Sequence, residues 1–225
     1  ITGLDAQEFA TITERLGGHT LAVSLAAKQI VERYANDPND MLRLIDKRKN
    51  GPEPFADLEL DETDKDLNLA LSLALSYDAL PNDDLRRRFR QTGVFALEST
   101  VDRGMLAAVW GDDDDDDARK HLSILVGAGL LDRDEDDRYT QHHLLHAYAH
   151  ALLIKQDELT VTEERLFNFI QQLFDDSTNL TNFTFLAALE MVFPNIHQAV
   201  IWGFDYFPRQ TCKLVVRLEN YLRIF

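Results

Sequence analysis

The sequence predicts a mainly α fold: a helical subdomain, a winged helix with a small β-hairpin, then antiparallel helical pairs. Three observations predict it. Six prolines and ten glycines in 225 residues leave long uninterrupted stretches, which suit helices better than a sheet sandwich. Apolar residues recur at helical spacing between breaks that carry capping and stopping residues. One region alone switches to short extended segments around a polar turn. It follows three helices, which is the order of a winged helix.

Asp5 followed by Glu8 reads as a capping box, with Phe9, Ile12 and Leu16 at helical spacing behind it. Gly17-Gly18 ends this helix, because glycine takes the left-handed terminal conformation at little steric cost. A second helix begins near His19 and sets Leu21, Ala22, Leu25, Ala26 and Ile30 on one face. Its small residues let another helix approach closely. Asp37-Pro38 opens a third, with proline in the first turn where its missing N–H costs nothing. Gly51, Pro52 and Pro54 mark 47–63 as a linker.

Helices are expected over 64–80, which Pro81-Asn82 breaks, over 85–91, and over 101–110, capped by Thr100 and stopped by Gly111. Six consecutive aspartates, 112–117, lead into a helix over 118–128 that Gly129 ends. Segments 130–133 and 138–140 are extended around a turn at 134–137, and a helix follows from about residue 142 to 155. Thr160 and Glu163 form another capping box after a polar break at 156–158. The remaining helices fall near 161–174, 183–191, 194–206 and 210–225. They read as two helical pairs, the unit from which helical arrays are stacked. The resulting boundaries are 1–60 for the helical subdomain, 61–156 for the winged helix and 157–225 for the pairs.

A hydrophobic share of 45% with 28% charged residues is the balance of a globular chain, not a disordered one. No run of about 18 apolar residues occurs, so no spanning helix and no membrane partner are expected. Residues 1–3 lack the basic and apolar regions of a signal peptide, and both ends read as cuts in a longer protein. Cys212 is the single cysteine, which excludes an internal disulfide and a cysteine-based zinc site and fits a reducing, cytoplasmic setting. With 39 acidic against 23 basic residues the net charge is −16, which repels nucleic acid and anionic membrane over most of the surface.

Several segments resemble one family in the right order. Leu16-Gly17-Gly18-His19-Thr20-Leu21-Ala22 is similar to the Gly-x-Pro motif that opens the first helical domain of the NB-ARC (STAND) signal-transduction ATPases. Leu73-Ala74-Leu75-Ser76-Tyr77-Asp78-Ala79-Leu80-Pro81 resembles the LSYDxLP entry to their winged helix, and Val94-Phe95 the apolar pair after it. Leu122 to Leu131, Arg138-Tyr139 and His142-His143-Leu144-Leu145 resemble the stretch that ends in the family's MHD motif. Phe193-Pro194-Asn195-Ile196-His197-Gln198-Ala199-Val200-Ile201-Trp202 is similar to the start of the superhelical, TPR-like repeats of bacterial members.

The resemblance implies a regulatory module that does no chemistry alone and gates ADP/ATP exchange in a parent ATPase switch. Its partners are then the P-loop nucleotide-binding domain of the same parent chain and a protein or small-molecule ligand on the repeats. The P-loop motif Gly-x-x-x-x-Gly-Lys-Ser/Thr does not occur in this sequence. The resemblance places His142 near the β-phosphate of bound ADP. Thr20 stands where the family has the proline that packs on adenine, and His143 where it has aspartate.

Other chemistries fare less well on the residues. His142, His146 and His150 recur at i, i+4, i+8, but zinc needs further ligands and usually a base, and the H-E-x-x-H register is missing. They are expected to be polar surface histidines, with no metal. The aspartate run lacks the spacing and glycine of a calcium loop and reads as a solvated loop whose last members cap the next helix. A winged helix can read DNA, but here the third helix is entered through aspartates and the wing carries five acids against two arginines. Arg86, Arg87, Arg88 and Arg90 form a basic strip on the first helix instead. Cys212 has no neighbouring histidine and no Gly-x-Ser-x-Gly occurs, so no nucleophile is expected. Trp202, Phe204, Tyr206 and Phe207 are expected to form core, not a ligand cage. A DNA-binding regulator and a helical protein-interaction scaffold without nucleotide contact stand as the alternatives.

Overall fold

Wherever apolar residues recur at helical spacing the chain is helical, and one hairpin interrupts the stack of helices. The computed structural model describes residues 6–16, 18–33, 38–49, 64–112, 115–175 and 183–222. Asp5, Gly17, Asp37 and the segment 50–63, to which the first two caps, a helix stop and most of the expected linker were assigned, lie outside them.

Helices α1 (Ala6–Arg15), α2 (Thr20–Arg33), α3 (Pro38–Lys49) and α4 (Asp64–Asp78) form the first region. Ala22, Leu25, Ala26 and Ile30 are buried on one face of α2, and α4 packs on that helix. The end of α4 reaches into the next region, where the Tyr77 ring meets Phe89 and Tyr148 with centroids 5.7 and 6.0 Å apart.

Helix α5 (Asp83–Gln91) starts at Asn82, whose side chain accepts from the Leu85 amide. It runs into a single 3-10 turn, Thr92–Val94. Helix α6 (Arg103–Trp110) and α7 (Asp115–Gly127) follow, then strands β1 (Asp132–Arg133) and β2 (Tyr139–Thr140), paired antiparallel with Arg133 opposite Tyr139. Val101 adds an antiparallel bridge on the other side of Tyr139. Three helices, a bridged strand position and a hairpin are thus present in winged-helix order. Helix α8 (His143–Lys155) closes this region, and α9 (Leu159–Asp175), α10 (Phe183–Tyr206) and α11 (Pro208–Leu222) pack together beyond it. Helix α9 also lies against α6. Phe89, Trp110 and Phe167 are fully buried, each contributing about 2–3 kcal/mol by leaving water.

Several expectations change. Thr100 does not cap α6. Val101 is drawn into its bridge with Tyr139, through bonds of 2.8 and 2.9 Å, so the helix starts later and Asp102 accepts from the Met105 amide. The expected stop at Gly111 is present, with φ +74. Helix α7 begins within the aspartate run, and Asp112 is no solvated loop residue: its carboxylate is 9% exposed and pairs with Arg88. Leu130 and Leu131 are buried but not in a strand. Helix α9 begins before Thr160, which therefore cannot be its cap. Residues 183–206 form one helix, not two, with Pro194 inside it, so α9, α10 and α11 replace the two expected pairs. Proline lacks one amide, so the helix continues past Pro194 with one fewer backbone bond. Among the aromatics, Trp202 is buried with its ring tilted against Phe167 and Phe207, the half-exposed Tyr206 stacks on its outer side at 4.8 Å, and Phe204 is exposed.

Candidate functional site

The N-terminus of α8 follows directly from β2, so its first residues sit beside the hairpin. His142 lies just outside the helix as its N-cap, and its Nδ1 accepts the Leu144 amide at 3.3 Å. Accepting there requires an unprotonated Nδ1, so the neutral ring carries its proton on Nε2. The His143 ring stacks on it at 4.4 Å. Burial, then the neighbouring His143 and His19, hold His142 below the ordinary histidine value, with Asp132 pulling the other way.

Helix α2, which His19 precedes, packs against the turn before β1, and a charge on His19 is near enough to disfavour one on His142. Gly129 has φ +75, and a Cβ there would come within 2.7 Å of Lys28 Cδ and 3.1 Å of Leu25 Cδ2. Lys28 reaches Asp132 at 3.7 Å. His19 Nδ1 is enclosed with no hydrogen-bond partner among the described residues. Thr20, the next residue, is exposed at the first position of α2. A neutral imidazole with its Nε2 proton free, at the amide end of a 13-residue helix, suits an anionic oxygen as a hydrogen-bond donor. Such chemistry fits a phosphate.

The other histidines of α8 are not the surface residues expected. His146 Nε2 lies 2.7 Å from the Phe95 carbonyl and His150 Nδ1 lies 2.8 Å from that of Gly93. A carbonyl can only accept, so each ring donates and its tautomer follows. The rings run parallel at 6.2 Å. Gly93 permits this because its backbone touches α8: a Cβ there would fall 2.3 Å from the His150 amide nitrogen.

The basic strip on α5 is neutralised from within. Arg86 pairs with Asp83 and donates to the Asp78 and Leu80 carbonyls at the end of α4. Arg87 pairs with Asp84. Arg88, buried, bridges Asp84 and Asp112, lies over the Trp110 ring at 5.4 Å, and its own carbonyl accepts from Trp110 Nε1 at 3.0 Å. Burial works against its charge, but the two carboxylates outweigh that and raise its pKa. Arg90 forks onto Glu158 and donates to the Tyr77 hydroxyl at 2.6 Å. In the wing, Arg133 and Arg103 turn onto Asp137. The Tyr139 hydroxyl donated to Asp137 holds that carboxyl below its usual range, while burial and this bond push Tyr139 up to about 12. Asp134, Glu135 and Asp136 remain exposed.

Two residues not singled out from the sequence tie α10 to the winged helix. Asn195, fully buried, accepts the Ala96 amide at 2.7 Å and lies 3.4 Å from the Ser99 hydroxyl. Gln198 Nε2 donates to the Val94 carbonyl at 3.0 Å. A lone asparagine at an otherwise apolar, core-facing stretch was the available signal. Beside this loop a cavity of about 20 Å³, lined by Thr92, Ser99, Tyr139, Gln141 and His146, has room for one water and does not include His142. Among the described residues no group of three or more His, Cys, Asp or Glu side chains converges to hold a metal, and no helix is long and apolar enough to cross a membrane.

No protein-family profile matches this chain, and no curated protein matches it significantly.

Proposed function

We propose that this chain is the regulatory portion of an NB-ARC-type signalling ATPase, in which the α8 N-terminus holds the resting, ADP-bound state. The observation that carries the reading is the His142 ring at the N-cap of α8, with Nδ1 on the Leu144 amide and its Nε2–H left to donate. The two segments most similar to the family's nucleotide-contacting motifs lie at the start of α2 and at the N-cap of α8, and α2 packs against the turn that leads into the hairpin. The neutral Nε2–H of His142 donates to a phosphate oxygen, and the helix N-terminus adds favourable potential. Thr20, at the first turn of α2, borders the base. ADP then bridges a P-loop domain of the parent chain and this winged helix, and a ligand on the C-terminal helices releases them. The nucleotide supplies the two-state difference; this chain supplies the donor that discriminates between the states. The chain works in the cytoplasm and is not itself an enzyme.

A DNA-reading function has less support, because the arginines of α5 and of the wing are engaged by carboxylates and the wing tip is acidic. A scaffold without nucleotide contact is the remaining alternative, favoured by the exposed, unengaged position of Thr20. The test is nucleotide content of the parent protein purified from cells. Tightly held ADP that is lost in His142→Ala supports the reading. ADP indifferent to His142, or none at all, leaves the scaffold.

A further inference from the structure

The loop between the 3-10 turn and Val101 is gripped from two sides. From one side come Asn195 and Gln198 of α10, binding the Ala96 amide and the Val94 carbonyl. From the other come His146 and His150 of α8, on the Phe95 and Gly93 carbonyls. Thr92 Oγ1 lies 2.7 Å from the Phe89 carbonyl and 3.2 Å from Gln141 Oε1, sharing its one proton. Gln141 in turn donates to the Leu130 carbonyl at 3.3 Å and directly precedes His142. A continuous set of contacts therefore runs from α10 through this loop to the cap of α8.

Two features mark the loop as held instead of relaxed. Glu98 has φ +59, a left-handed conformation that a side chain other than glycine adopts unfavourably. Asn195 is fully buried, yet its Nδ2 has no partner among the described residues. Its orientation is not arbitrary, since turning the amide over would set a donor against the Ala96 N–H. The docked arrangement thus confines a buried donor without a protein partner among the described residues and a residue in a left-handed conformation.

We propose that Asn195 is a positioning residue that transmits the docking of the C-terminal helices to His142. With α10 docked, the loop is clamped, Gln141 is fixed, and the His142 ring stays partly desolvated, stacked on His143 and within the charge influence of His19 and of Asp132, which Lys28 pairs. With α10 withdrawn, the loop relaxes and the cap opens to water. The significance of this coupling as control of a nucleotide rests on the preceding reading, but the coupling itself is measurable without nucleotide.

The experiment is NMR titration of the His142 ring, together with hydrogen exchange at the Ala96 amide, in the 225-residue chain. Asn195→Ala is expected to speed Ala96 exchange about tenfold by removing its acceptor, and to raise the His142 midpoint toward the ordinary histidine value. Gln198→Ala, a milder change, moves both in the same direction by less, which keeps the test intact if Asn195→Ala does not fold. Ile201→Ser, on the exposed side of α10, moves neither. Faster Ala96 exchange with an unmoved His142 midpoint overturns the coupling, and so does unchanged Ala96 exchange in both variants. Failure of the nucleotide reading shows separately, as ADP content of the parent protein indifferent to His142, and leaves the titration result standing.

Discussion

The N-cap of α8 and the body of that helix use the same residue type in opposite ways. At His146 and His150 both rings are committed to backbone carbonyls of the segment Gly93 to Phe95, and parallel ring planes keep them there. At His142 the ring spends only its Nδ1, on the helix cap, and stacks on His143. The first arrangement is a structural clamp. The second leaves a donor for an anion at the positive end of the helix. The i, i+4, i+8 recurrence that suggested one histidine face conceals two sites with different tasks.

The largest expected effect breaks the clamp. Gly93→Ala forces a Cβ into the α8 backbone and should cost about 3 kcal/mol, read as a fall in the urea midpoint. An undiminished midpoint means the turn does not seat on α8 as described. His150→Leu keeps the packing but leaves the Gly93 carbonyl unpaired, for a loss of about 1.5 kcal/mol. At the other end, His142→Asn retains a side chain able to cap and should change stability at pH 7.5 by less than about 0.5 kcal/mol. A larger loss there would make His142 as structural as His150 and erase the distinction.

Acid sharpens the same comparison. Burial holds both His142 and His146 below the ordinary value of 6.5, so the unfolded chain binds more protons as pH falls through that value. Their contribution is present above about pH 6.5 and is lost as pH falls from there through the lower folded values. His142→Asn should flatten part of that acid loss in urea titrations at several pH values; an unchanged slope would assign all of it to His146 and other groups. The smallest expected effect is on nucleic acid. Duplex DNA at about 50 mM salt should give no anisotropy change, and salt-dependent binding would reverse the reading of the neutralised arginines.

Helix stops were legible because glycine is needed for a local reason: Gly111 and Gly129 take left-handed angles wherever the rest of the chain goes. The winged-helix order was legible from the change of period around the polar turn. The cap of α6 was not, because Val101 pairs with Tyr139, a partner far along the chain that no local window contains. Pro194 looked like a helix boundary for the same reason: propensity is local, whereas the packing of α10 on α9 and α11 is not. Of the candidate site, the residue types at Thr20 and His142 could be named from the sequence, but the seating of α2 beside Gly129 and the Lys28–Asp132 pair depend on tertiary packing. The arginines of α5 looked like a free basic strip in the sequence but stay charged and are ion-paired in place, partly by Asp112 and Glu158 from other elements.

On the reading proposed above, His142 is a ligand-facing donor, whereas His146 and His150 clamp the segment Gly93 to Phe95. The direct measurement is the nucleotide content of the intact parent protein in three forms: wild type, His142→Asn, and His150→Leu. The account predicts bound ADP in the wild type and in His150→Leu, with loss only in His142→Asn despite its better stability. Equal retention in all three, or loss that tracks stability, would contradict it.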